Sequence, residues 1–120
     1  FSVVVTPWVE RDVVARFSAA VSGQSLTIEG WIGLPEPCYD FRGRAAVAAA
    51  IIDVTLVATR NRFPFCQQSI ARVPYTIVVG PVPRGEWQLR VSNEEVRVDR
   101  TIIDNVFNAV VVVQTSASRK

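Results

Sequence analysis

The sequence predicts one all-β domain, an antiparallel β-sandwich of about eight to ten short strands spanning residues 1–120. Hydrophobic residues make up 49% of the chain and are dominated by valine, isoleucine and alanine, and the β-branched types favour strands. Apolar and polar residues alternate with the strand period of two. Turn signals built from glycine, proline and asparagine recur about every eight to twelve residues, which is typical of a sandwich.

The first third of the chain predicts a short strand followed by a hairpin. Residues 2–6 form a valine strand, which Pro7 interrupts because proline has no backbone N–H to donate. Apolar residues then alternate over residues 13–21 and again over residues 26–32. Gly23 lies between these two runs, so we expect a hairpin across it.

The middle of the chain returns to the same alternation after an ambiguous stretch. The alanines of residues 45–50 would start a helix on propensity alone, but residues 52–58 restore the strand period. We therefore expect two strands joined near residues 42–46. A further strand covers residues 73–79 and ends at the glycine- and proline-rich loop of residues 80–85.

The clearest strand spans residues 87–91, in which large apolar residues alternate with polar ones. Residues 93–94 are expected to turn the chain into a strand at residues 96–98, and a last strand over residues 106–115 is apolar on both faces. The apolar phase of all these runs predicts a common core made of Phe17, Leu26, Ile28, Val54, Leu56, Tyr75, Ile77, Trp87, Leu89 and Val91.

The two cysteines, Cys38 and Cys66, are predicted to form a disulfide. They are the only cysteines in a chain without histidine, so they cannot assemble a four-ligand zinc site within one subunit. Their pairing would close a loop of about 29 residues, worth roughly 3–4 kcal/mol of stability. A disulfide needs an oxidising compartment, so we expect a secreted or cell-surface protein. The alternative is two buried free thiols in a cytosolic protein.

The surroundings of the two cysteines and the sequence of the clearest strand suggest a family resemblance. The pattern Leu34-Pro35-Glu36-Pro37-Cys38-Tyr39, a second cysteine about 28 residues later, and residues 83–91 with the sequence PRGEWQLRV resemble immunoglobulin-like domains of secreted bacterial proteins. The resemblance covers about residues 25–92, and its motifs are structural. It implies an immunoglobulin-like β-sandwich and carries no site residues.

The sequence offers little for catalysis or metal binding. It contains no histidine, and its single lysine is Lys120, so a serine would lack the usual base. The densest acidic group, Glu94, Glu95, Asp99 and Asp104, could in principle form a glycosidase dyad or a calcium site. Placed in a hairpin turn and at strand ends, these carboxylates are better explained as solvated. We expect no enzyme, no metal and no cofactor.

The charge and hydropathy patterns limit the kinds of partner that we expect. The formal charge of +2 comes from scattered arginines and carboxylates, so we expect no nucleic acid partner. No apolar run reaches the length of about 18 residues that a transmembrane helix needs, so we expect no membrane span.

The chain ends suggest self-assembly. Both are short uncharged segments of high β propensity, and such segments recruit other chains when they lie at exposed sheet edges. The residues concerned are Ser2, Val3, Val4 and Val5, followed near the other end by Val110, Val111, Val112 and Val113. The alternative is that both strands are central or covered. We therefore expect a non-enzymatic extracellular structural protein that assembles with copies of itself, filament-like or oligomeric, with residues 1–6 as a detachable donor strand in a neighbour's sheet.

A second hypothesis is a monomeric extracellular binding module for carbohydrate or a protein partner. It depends on Trp31, a candidate ligand contact because it lies on the otherwise polar face of its strand. Tryptophans in sandwiches more often belong to the core.

Overall fold

The computed structural model describes residues 2–7, 17–34, 38–61 and 71–114, which form eight strands in two four-stranded sheets. The strands are β1 (Ser2–Pro7), β2 (Ser18–Ser22), β3 (Ser25–Leu34), β4 (Tyr39–Ala48), β5 (Ile51–Arg60), β6 (Ala71–Gly80), β7 (Gly85–Val96) and β8 (Thr101–Val113). For these residues the all-β prediction is confirmed.

The two sheets have the strand orders β1-β6-β3-β2 and β4-β5-β7-β8. All neighbouring strands are antiparallel except β5 and β7, which pair in parallel with Val54 opposite Val91. This pair departs from the predicted antiparallel sandwich. It arises because β6, which lies between β5 and β7 in the sequence, pairs into the other sheet and leaves β5 and β7 pointing the same way.

One hydrophobic core lies between the sheets, and alternation identified most of it. Eight of the predicted core residues are buried, namely Leu26, Ile28, Val54, Leu56, Tyr75, Ile77, Leu89 and Val91. Phe17 and Trp87 are only half-buried, so these two predictions are corrected. Phe17 precedes β2 at the rim of the core, and the Trp87 indole Nε1 donates a hydrogen bond to the Pro83 carbonyl at 2.9 Å.

The hairpin across Gly23 is confirmed, since β2 pairs with β3 and Gly23 adopts a φ of 61°. The next predicted turn was misplaced. Residues 42–46 lie within β4, and the chain instead turns at Ala49 and Ala50, which have φ values of 52° and 64°. Alanine carries no sequence signal for such a turn, because these conformations normally select glycine or asparagine.

The turn predicted at residues 93–94 is also wrong. β7 continues to Val96, and the chain turns at residues 97–100, where the Arg97 N–H donates to the Arg100 carbonyl at 2.8 Å. Val98, expected on a strand, lies in this turn and is 95% exposed. Asn93 consequently stays on the inner phase of β7 and is buried.

β1 completes the sheet of its own chain, pairing with β6 from Ser2 opposite Gly80 to Pro7 opposite Tyr75. The prediction that this segment bonds to another subunit's sheet rather than its own is therefore corrected for the single chain. Its exchange with a second copy stays a prediction. A Cβ atom on Gly43 of β4 would lie 2.5 Å from the Val3 Cγ1 atom, so β1 covers that glycine closely.

Several predictions fall wholly or partly outside the described residues. Cys66 lies outside them, whereas Cys38 is half-buried just before β4. Residues 13–16 of the predicted second strand and residue 115 of the last strand also lie outside. Within the described ranges, no helix is long and apolar enough to cross a membrane.

Candidate functional site

A cavity of 230 Å³ lies between the sheets, on the side where β3 faces β8. β2 begins at Ser18, opposite Glu29, so within the described residues the part of β3 from Gly30 onward has no neighbouring strand on that side. The cavity is lined there by residues of β3, β7 and β8 and by Phe17. The cavity therefore opens where the described part of the first sheet is narrowest.

The apolar part of the lining comes from three elements. Ile32 lies on β3, Ile102 and Val106 lie on β8, and Phe17 precedes β2. Phe17 fits here because residue 30 is glycine, since a Cβ at Gly30 would lie 2.3 Å from the Phe17 Cε2 atom. The glycine thus allows an aromatic ring to form one wall of the cavity.

Trp31 forms the aromatic rim of the cavity. Its side chain is half-buried, on the outer phase of β3, and its ring centroid lies 6.0 Å from that of Phe17. The Arg72 guanidinium carbon lies 4.8 Å from the Trp31 ring centroid, which is within the range of a cation–π interaction. The structure therefore places the predicted ligand contact at a cavity, with one aromatic surface already in contact with a cation.

Asn93 is the polar residue that joins the two sheets at the cavity. The residue is 8% exposed, its Oδ1 accepts a hydrogen bond from the Tyr75 hydroxyl at 2.8 Å, and its Nδ2 donates to the Trp31 carbonyl at 3.0 Å. Burial raises the pKa of Tyr75 above its ordinary value, so the phenol stays protonated and keeps donating. These two bonds fix Asn93 between β3 and β6.

Glu95 follows on the same face of β7 and is also 8% exposed. Its Oε2 atom accepts a hydrogen bond from the Tyr39 hydroxyl at 3.0 Å and another from Arg97 Nε. The bond from Arg97 raises the pKa of the Arg97 guanidinium. Both contacts use the same oxygen, and Oε1 has no hydrogen-bond partner among the described residues. A buried carboxylate therefore lines the cavity, and one of its oxygens is not bonded by any described residue.

Asp104 supplies a second carboxylate. It lies on β8 directly opposite Asn93, on the cavity side, and it is exposed. None of the lining residues that the structure describes is basic. The walls of the cavity thus combine aromatic and aliphatic surface with two carboxylates and one amide.

The residues predicted for assembly lie away from this cavity. Among the described strands, β1 lies at an edge of the first sheet and β8 lies at an edge of the second. Val4, Val110 and Val112 point outward and are 55%, 67% and 50% exposed, whereas Val111 and Val113 are buried against the core. Each terminal strand therefore has one apolar side in the core and one at the surface.

The sequence analysis missed Asn93 and Glu95 as site residues because it assigned Asn93 to a turn. The signal was present, because the alternation continues without a break along β7. Asn93 and Glu95 therefore share a strand face with Leu89 and Val91. Following the alternation beyond the apolar residues would have placed both polar side chains inside. Buried polar residues are informative because they need specific partners.

No cluster of three or more cysteine or carboxylate side chains suited to a metal ion occurs in the described ranges. Comparisons of the chain with models of known protein families, with curated proteins and with solved structures found no match.

Proposed function

We propose that this protein is a non-enzymatic structural subunit that assembles with copies of itself through its terminal edge strands. The observation that carries the proposal is the edge position of β8, with its outward Val110 and Val112 exposed. An edge strand offers a row of unpaired N–H and C=O groups, and natural proteins usually protect such edges with charge or proline. The segment of β8 from residue 109 to residue 113 has neither.

β1 is the second contact in this proposal. It is the edge of the other sheet, and its exposed Val4 lies directly opposite Val78 of β6, which is itself 37% exposed. Fully burying a valine contributes about 1.5–3 kcal/mol. Association costs at least about 4 kcal/mol, so a few valines need the added main-chain hydrogen bonds of a shared sheet. Pairing of β8 with β8 would give a closed dimer, whereas pairing of β8 with β1 would give an open filament or, where the rotation closes, a ring.

The remaining features of the proposal concern location and fold. We infer an extracytoplasmic protein whose Cys38 and Cys66 form a disulfide, and among the described residues no cysteine is free. The immunoglobulin-like kinship is kept as a proposal for the two-sheet arrangement, although the parallel β5–β7 pair departs from the antiparallel sheets of that class.

Particle size in solution tests the assembly. Light scattering after size exclusion, with electron microscopy of the same fractions, should give a dimer or a filament for the wild type and a monomer for the double variant Val110→Lys with Val112→Lys. Gln88→Lys is the matched control, because Gln88 lies opposite Val110 on the same face but on a central strand. A monomeric wild type, or an edge variant that assembles like the control, contradicts the proposal. Intact mass without reductant should show the loss of two hydrogens expected for a disulfide, and two free thiols would remove the argument for location.

A second candidate function is a binding module, which the cavity beside Trp31 favours. A sugar ring stacks on an open aromatic face, but Arg72 already lies over the Trp31 ring. Among the ligands considered from the sequence, a protein partner therefore fits this cavity better than carbohydrate. A protein that remains monomeric while binding a partner through the cavity would support this candidate over assembly.

A further inference from the structure

We propose that the cavity between β3 and β8 binds an arginine side chain of a partner protein. The inference gives the second candidate function its ligand chemistry and does not depend on assembly. A monomeric protein that binds arginine leaves it standing.

The charges of the lining favour a cation. Glu95 and Asp104 line the cavity, and none of its described lining residues is basic. Arg97 bonds only Oε2 of Glu95, which leaves Oε1 without a partner among the described residues. Asp104 likewise has no hydrogen bond or ion pair within the described part of the chain. A planar guanidinium has five N–H donors in a fixed fork, so one group can reach acceptors on two neighbouring strands.

The apolar walls suit the rest of an arginine side chain. Ile32, Ile102 and Val106 can cover its aliphatic stem, as apolar surfaces commonly do for long cationic side chains. Phe17 and Trp31 add aromatic surface, and guanidinium groups stack on such rings more readily than ammonium groups do. Arg72, which lies on β6, already makes this kind of contact with Trp31 on β3.

Other ligand classes fit the lining less well. An anion would face two carboxylates, and no described lining residue is basic. Calcium takes about six to eight oxygen ligands, and the described residues contain no cluster of three or more carboxylates suited to a metal ion. Lysine would satisfy the charge, but it has a compact ammonium in place of a planar fork, so we expect it to bind more weakly.

The test uses N-acetyl-arginine-amide as the probe and follows the amide and indole signals of the ¹⁵N-labelled protein by NMR. We expect saturable shifts at the Trp31 indole and at residues of β7 and β8 around Asn93 and Asp104. N-acetyl-citrulline-amide has nearly the same shape without the charge, and it should bind at least about tenfold more weakly. The lysine analogue should fall between the two.

Substitutions of the two cavity carboxylates test whether the arginine probe binds through them. Asp104→Asn changes an exposed residue and should weaken arginine binding about tenfold while the protein stays folded. Glu95→Gln should weaken it as well, with loss of the Arg97 ion pair as an added effect. Glu94→Gln is the matched control, because Glu94 is adjacent to Glu95 but lies on the opposite face and bonds Arg44 at 3.1 Å. Its affinity for the probe should equal that of the wild type.

Three results from the probes and variants would overturn the proposal. They are equal binding of the citrulline and arginine probes, tighter binding of the lysine probe, and wild-type affinity in Asp104→Asn. The absence of saturable shifts at Trp31 up to high probe concentration would also overturn it, whatever the assembly state of the protein.

Discussion

Replacing Gly43 by alanine should release or strain the N-terminal strand. The new Cβ on β4 would lie 2.5 Å from Val3 Cγ1 and 2.7 Å from Val5 Cγ2. Carbon atoms in contact lie about 3.5–4.0 Å apart, so one of the two strands must move by roughly 1 Å. Because β6 is the only described strand that pairs with β1, we expect β1 to be the strand that moves.

Two separate estimates give the free energy of unfolding that this substitution costs. Overpacking of a well-packed site typically costs about 1–3 kcal/mol. If β1 detaches instead, the loss is limited to what its docking contributes, mainly the burial of Val3 and Val5. Both are half-buried, so together they are worth about as much as one fully buried valine, or roughly 1.5–3 kcal/mol. Gly43→Ala should therefore lower the free energy of unfolding by about 2 kcal/mol.

Urea unfolding followed by tryptophan fluorescence measures this change. Gly33→Ala is the matched control, because a Cβ there would meet nothing closer than the Trp31 Cζ3 atom at 3.9 Å. The control should be neutral or stabilising by up to about 1 kcal/mol, since alanine loses less backbone entropy on folding than glycine.

A double-mutant cycle identifies β1 as the cause. In a background carrying Val3→Ala and Val5→Ala, the cost of Gly43→Ala should fall below about 0.5 kcal/mol, because the clashing methyl groups are gone. If Gly43→Ala costs no more than Gly33→Ala, or costs the same in both backgrounds, β1 does not dock on β4 as described. Release of β1 should also increase assembly if that strand exchanges between copies.

Two further predictions concern buried polarity and turn strain. Tyr75→Phe leaves the Asn93 Oδ1 atom without its donor and should cost about 1–2 kcal/mol at neutral pH. Burial raises the Tyr75 pKa above its ordinary 10.0, so the stability that the protonated phenol gives the wild type should be intact below pH 10 and should fall as the pH rises further. Urea unfolding between pH 7 and 11 measures this decrease. The decrease due to Tyr75 should be absent in Tyr75→Phe. Ala49→Asn with Ala50→Gly should raise the thermal midpoint, since both alanines have positive φ and such conformations cost about 1–2 kcal/mol per residue; a lower midpoint would show that the turn is not of this type.

The sequence by itself determined where most of the strands lie and most of what they bury. Alternation along one strand is a local property, so β3, β5 and β6 and residues such as Leu26, Ile77 and Leu89 could be identified without knowing any neighbour. The same rule fails at Trp87, whose phase is apolar but whose indole reaches the Pro83 carbonyl near the surface. The position of a residue in the alternation indicates which face of the strand it lies on. Only packing decides how deeply that face is buried.

The tertiary structure decided the turns, the strand order and the cavity. Ala49 and Ala50 turn the chain without a turn sequence because Ala48 and Ile51 are already paired across them. β7 runs through Asn93 and Glu95 because Tyr75 and Tyr39, both distant in the sequence, supply their hydrogen-bond partners. Such pairings join residues far apart along the chain, and their stability depends on which strands become neighbours, a choice that no local pattern in the sequence encodes.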